Sequence, residues 1–160
     1  MAFESLNIEA WLYSTLSGDS TLQTLLAKAA DNVMNYQQGV YAHIAPTMDP
    51  ISKASPVLPY IVFQRISNYS NDVNALCGNT ALSYPSYRVL VWNGNSKSMG
   101  LGTIKEIADR VDTLISNAIV TSYTPAFNCL RMNTDNIINV SDDGKIYYAA
   151  VLEYYFVNRF

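Results

Sequence analysis

Hydrophobic positions along this chain change period, from steps of three and four near the N-terminus to steps of two in the middle and at the end. Ile8, Trp11, Leu12 and Leu16 recur at helical spacing, with Asn7 placed to cap the first turn. Ser17-Gly18-Asp19-Ser20 interrupts that helix, and Leu22, Leu25 and Leu26 open a second, shorter one capped by Asp19 or Ser20. The stretch 29–39 is polar and has no clear period. Residues 40–44 form a short strand candidate.

A proline loop follows. Residues 46–59 hold four of the six prolines, too stiff and too poor in amides for helix. Pro59 suits the first residue of a strand, and residues 60–67 have strand chemistry, aromatic and β-branched before turning polar. Residues 68–83 are rich in Asn and Ser, with a weak strand-like piece at 72–76. The next strand, 84–92, sets Tyr87, Val89 and Val91 on one face and Arg88, Leu90 and Trp92 on the other. Pro85 places its start at a strand beginning or a sheet edge.

Asn93-Gly94-Asn95 turns the chain, and Ser96 or Ser98 caps the best-defined helix. Leu101, Ile104, Ala108, Val111 and Ile115 form its apolar stripe, with Lys105–Asp109 and Glu106–Arg110 pairs on the exposed side. The helix is expected to lie across the sheet. A hairpin closes the chain: residues 136–141 lead up, Asp142-Asp143-Gly144 turns, and 145–160 return. On the return arm Tyr148, Ala150, Leu152, Tyr154 and Phe156 share one face, while Tyr147, Val151, Glu153 and Tyr155 share the other. Both faces are largely apolar, so one is expected against the core and the other against a helix or another subunit.

Composition adds a second theme. The chain has 160 residues, 49% hydrophobic and only 14% charged, with twelve tyrosines. A typical soluble domain carries about 25% charged residues. Amphipathic rings on a weakly charged surface favour self-association. The net charge is −3, and the ten Lys and Arg residues never fall two in a row. Tight nucleic-acid binding needs clustered cations, so gripping DNA is excluded, and a basic membrane patch with it. No apolar run approaches the roughly twenty residues that span a bilayer. Cys77 and Cys129 lie far apart in no metal-ligand pattern and read as reduced thiols.

Catalytic patterns do not assemble. His43 is the single histidine, without a nearby partner in sequence, and Cys77 has no flanking base. Gly94-Asn-Ser-Lys97-Ser98 sits between strand and helix but lacks the glycine a phosphate loop needs before its lysine. Gly100-Leu-Gly102 lacks the third glycine of a dinucleotide fingerprint. Glu106, Asp109 and Asp112 read as a solvated helix face, and Asp142-Asp143 as turn residues. The expectation is a non-enzyme without cofactor or metal.

Taken in order, these elements resemble the tail completion or tail terminator proteins of tailed bacteriophages. The resemblance rests on the first helix with Gly18-Asp19-Ser20-Thr21-Leu22, the Val40-Tyr41 strand and Leu58-Pro59-Tyr60-Ile61-Val62-Phe63-Gln64-Arg65. It continues through Tyr87-Arg88-Val89-Leu90-Val91-Trp92, the helix around Ile107-Ala108-Asp109-Arg110-Val111 and the closing Asp143-Gly144 strand. It implies an α+β fold: a small, mainly antiparallel β-sheet with two or three helices packed on it and a C-terminal β-hairpin. Residues 1–160 would form a single domain with long loops at about 45–59 and 68–83.

The resemblance further implies a virion protein made in the host bacterial cytoplasm and placed at the head–tail junction. There it would form a ring, usually a hexamer, on the last disc of tail tube protein, stop polymerisation and dock the head connector. Phage DNA would pass through the lumen without specific binding, and no membrane is involved. A head-to-tail ring needs two different surfaces on each subunit. The candidates are the aromatic final strand, with Tyr147, Tyr155 and Phe160, and the loops around 49–55 and 68–79, with Asp49, Lys53, Tyr69 and Asp72. Two alternatives stay open: another neck component, such as a head completion or stopper protein, and a small-ligand-binding or hydrolytic α+β domain.

Overall fold

The computed structural model describes residues 2–29, 39–44, 58–70, 83–94, 101–123, 126–132, 136–142 and 145–159. In chain order these form α1 (Ala2–Gly18), α2 (Ser20–Ala29), β1 (Val40–Ala42), β2 (Tyr60–Ser70) and β3 (Ser83–Gly94). Then come α3 (Leu101–Ile115), β4 (Ile119–Val120), β5 (Ala126–Arg131), β6 (Asn136–Asp142) and β7 (Lys145–Arg159). The class is α+β. A seven-stranded sheet runs β1-β2-β3-β7-β5-β4, with β6 also paired to β7. Every pairing is antiparallel except β1–β2.

The 15-residue β7 holds the centre. One of its edges pairs with β3 over residues 147–155; the other pairs with β6 over 145–151 and with β5 over 154–159. β5 and β6 are thus two halves of one interrupted strand laid along β7. Between them the Met132 amide donates to the Glu153 carbonyl at 2.8 Å.

Strand alternation decides which side chains meet the helices. Ile61 and Phe63 of β2, Tyr87, Val89 and Val91 of β3, and Ala150, Leu152, Tyr154 and Phe156 of β7 share one buried cluster. All three described helices bring their apolar stripes to it: Ile8, Leu12 and Leu16 from α1, Leu22 and Leu26 from α2, and Ile104, Ile107 and Val111 among those from α3. Each such fully buried aliphatic or aromatic side chain stabilises by about 1.5–3 kcal/mol relative to exposure. At one end the cluster is aromatic, with Trp11, Tyr87 and Phe127 packed edge-on around Phe156 at centroid distances of 6.0, 5.5 and 5.6 Å.

Asp19 separates the first two helices. The Leu22 amide donates to its Oδ1 at 2.7 Å and the Gln23 amide to its carbonyl at 3.0 Å, which makes Asp19 the N-cap of α2.

Several elements depart from the sequence expectation. α1 starts at Ala2, because no proline or glycine lies before Asn7 to stop it; Asn7 is inside the helix. Leu101 is 51% exposed, and Ile107 joins the buried stripe of α3 instead. β2 continues past residue 67 to Ser70, across a register shift between Arg65 and Ser67. Pro85 agrees with the expectation: it is the third residue of β3, near its start, and β3 meets β7 only from Ser86 onward. β4 and β5 had no counterpart in the sequence reading. The pieces expected at 72–76 and the polar stretch at 30–38 lie outside the described residues.

Candidate assembly surfaces

With every described helix on one side of the sheet, the opposite face is built from the alternate residues of the same strands. Directly opposed pairs share a face, so the registers fix its rows. One row runs Tyr60, Trp92, Ala149, Ile138; the next runs Tyr41, Val62, Leu90, Val151. Tyr147 and Val140 stand opposite each other above them. Tyr41 and Tyr60 meet edge-on with centroids 5.9 Å apart. Burial, with a smaller contribution from Tyr147, pushes the Tyr60 phenol above its usual 10.

A polar row bounds this apolar field. Gln64, Arg88 and Glu153 are opposed in register, and Arg88 grips a single Glu153 oxygen through Nε at 2.8 Å and Nη2 at 2.5 Å. At the hairpin end the apolar surface is open, with Ile138 and Val140 at 42% and 38% exposure. Tyr41, Val62, Ala149 and Val151 are buried within the chain, so the part of this face a protein partner could meet is the hairpin end, with Tyr60, Leu90 and Trp92 half-buried beside it.

On the helical side, polar groups tie elements together. The Tyr154 hydroxyl donates to Asp112 Oδ1 at 2.9 Å, and Arg131 Nη1 donates to Oδ2 at 2.7 Å. Burial first, then this bond to Asp112, pushes the Tyr154 phenol far above its usual 10. Asp112 is therefore a structural link, not part of a solvated face. Arg110 likewise leaves Glu106 and closes on Asp19. The Tyr87 hydroxyl donates to Glu9 Oε1 at 3.2 Å, while His43 Nε2 stands 3.2 Å from Oε2. His43 sits past the end of β1, not inside it, in a left-handed conformation with φ 65°.

A cleft of about 370 Å³ lies between α3 and β6, lined by Lys105, Ala108, Asp109, Ile137 and Ala150. Its Lys105 and Asp109 are exposed, and no cluster of three metal-ligating side chains occurs among the described residues. Cys129 is buried, which pushes its thiol far above its ordinary value. No described helix is long and apolar enough to cross a membrane.

Of the residues singled out from sequence, Tyr147 and Tyr155 are half-buried and lie on the face opposite the helices. They stand eight residues apart on β7, about 26 Å at strand rise. Tyr69 falls within β2, opposite Tyr84, rather than in a loop. Asp49, Lys53, Asp72 and Phe160 lie outside the described residues. Sequence reasoning missed the half-buried Trp92 and Leu90 as surface candidates, although the alternation in residues 84–92 already set them apart from Tyr87, Val89 and Val91.

No protein-family model matches the chain, and no curated protein matches it. Among solved structures, the chain is similar to one from the virion of a native gene transfer agent particle. That likeness has a TM-score of 0.53 at 15% sequence identity and covers 92% of each chain. At this identity it establishes the shared α+β fold.

Proposed function

We propose that this chain is a structural protein of a phage-like virion and acts there as a tail terminator. Copies form a ring at the head-proximal end of the tail tube, stop its polymerisation and present a docking surface to the head connector. The observation that carries the reading is the fold likeness to a virion chain, which runs over 92% of both molecules. The apolar residues left open at the hairpin end of the face opposite the helices, Ile138 and Val140, support it, because a ring subunit must hide such residues against its neighbours. Sparse, scattered cations support it too, since DNA must slide through the lumen without being held. The protein works by surface complementarity, and no bond-breaking step is assigned to it.

The test is to add purified protein to isolated tails that lack heads, and separately to heads that lack tails. A terminator binds the tail end first and then permits joining. Binding to the head connector first would make it a head completion or stopper protein instead.

A further inference from the structure

We propose that the free chain is a two-fold dimer, held by antiparallel pairing of its β6 edge with the same edge of a second copy. The dimer stands apart from the ring reading above, and only its consequence for assembly rests on that reading.

β6 is paired on its β7 side alone among the described residues, at every position from Asn136 to Asp142. An open edge of this kind is a template for another strand, and native edges are commonly blunted by lysine, proline or a bulge. Asn136–Asp142 has no lysine or proline, and its register with β7 runs without a bulge. Ile138 and Val140 are exposed on it, on the face away from the helices.

A second copy is the occupant that fits, because the strand complements itself. A two-fold axis beside Asn139, perpendicular to the sheet, reverses the strand and keeps its faces. It sets Asn136 opposite Asp142, Ile138 opposite Val140, and Asn139 opposite its own copy. The whole strand is then paired. Charge agrees: Asp142 is the one ionisable residue of β6 and meets Asn136, so no like charges are opposed. The apolar residues agree as well, since directly opposed pairs share a face and Ile138 and Val140 of each copy cover those of the other.

A two-fold contact uses one surface twice and closes at two copies, whereas a ring is built head to tail. In the terminator reading the ring also covers Ile138 and Val140, so pair and ring exclude each other. The dimer then keeps free chains from closing rings until a tube end competes for them.

The test uses the full chain carrying Cys77→Ser, which leaves the buried Cys129 as its one native thiol. Asn139→Cys lies beside its own copy in the pair and should oxidise to a covalent dimer. Asn136→Cys, about 20 Å from its copy at strand rise, should not. Hydrogen exchange on the unmodified chain provides a check free of substitutions: every second β6 amide should gain protection with concentration, as the mass seen by light scattering doubles. Monomers at all concentrations, or larger oligomers with β6 amides unprotected, would overturn the proposal and leave the terminator reading standing if tail ends are still capped. Covalent dimers from both cysteines alike would mean random collision and overturn it too. A dimer with β6 protected that never occupies a tail end would uphold the pair and overturn the terminator reading. The oxidised Asn139→Cys dimer should bind tail ends only after reduction, and binding before reduction would overturn the role in assembly.

Discussion

Arg110 of α3 closes on Asp19, the residue that caps α2, with Nη2 2.6 Å from Oδ2 and Nε 3.0 Å from Oδ1. One carboxylate therefore caps a helix and holds another helix against it. The bond from Arg110 keeps the Asp19 carboxyl below its ordinary 3.8, outweighing the opposing effect of burial. Asp19→Ala should lower stability by about 1 kcal/mol through the lost cap, and by more through the lost arginine contact. A denaturant melt measures it.

The same pair sets an acid limb. Because the folded pKa of Asp19 lies below 3.8, its contribution is complete above that value and disappears as pH falls through the lower, folded one. The stability gap between wild type and Asp19→Asn should be constant near neutrality and close as pH drops below 3.8. Melts across an acid series decide it, and a gap that stays open would contradict the assignment.

Tyr154 tests the link from β7 to α3. Tyr154→Phe removes only the bond to Asp112 and should cost about 1 kcal/mol, since Asp112 keeps Arg131. Asp112→Ala strands the buried Tyr154 hydroxyl and removes the pair with Arg131, and should cost about 2–3 kcal/mol. Thermal or urea denaturation of the two variants should rank them in that order.

Phe156 anchors the aromatic end of the core, fully buried among Trp11, Tyr87 and Phe127. Phe156→Ala should cost about 3–5 kcal/mol and lose assembly with the fold. Calorimetry reads the first effect and tail joining the second.

Ile138 and Val140 separate assembly from folding. Both are exposed on β6, so Ile138→Lys or Val140→Lys should change stability by no more than about 0.5 kcal/mol. Each should nevertheless abolish self-association, because a charge then sits on the open edge and the apolar face. Normal oligomers from either variant would remove this surface from the interface.

Most of the fold could be read from periodicity where one face is buried and the other is not. The stripe Ile104, Ala108, Val111 and Ile115 and the two faces of β3 and β7 declared themselves that way. β5 did not, since Phe127 and Cys129 alternate with Asn128 and Leu130 over only six residues. Its strand state comes from β7, a partner distant in sequence. The ion pairs were not legible: neither pair expected on the third helix is among those of the described residues. Lys105–Asp109 and Glu106–Arg110 are natural readings of one helix, but the partner Arg110 takes is 91 residues away. The assembly surface was half legible: the second apolar face of the last strand was plain, while its extension over Trp92 and Leu90 needed the cross-strand register.

Light scattering over a wide concentration range, alone and with isolated tail tubes, addresses the central claim most directly. A closed oligomer of one size that occupies tube ends is the expected result. A subunit that stays single at every concentration and ignores those ends would contradict it.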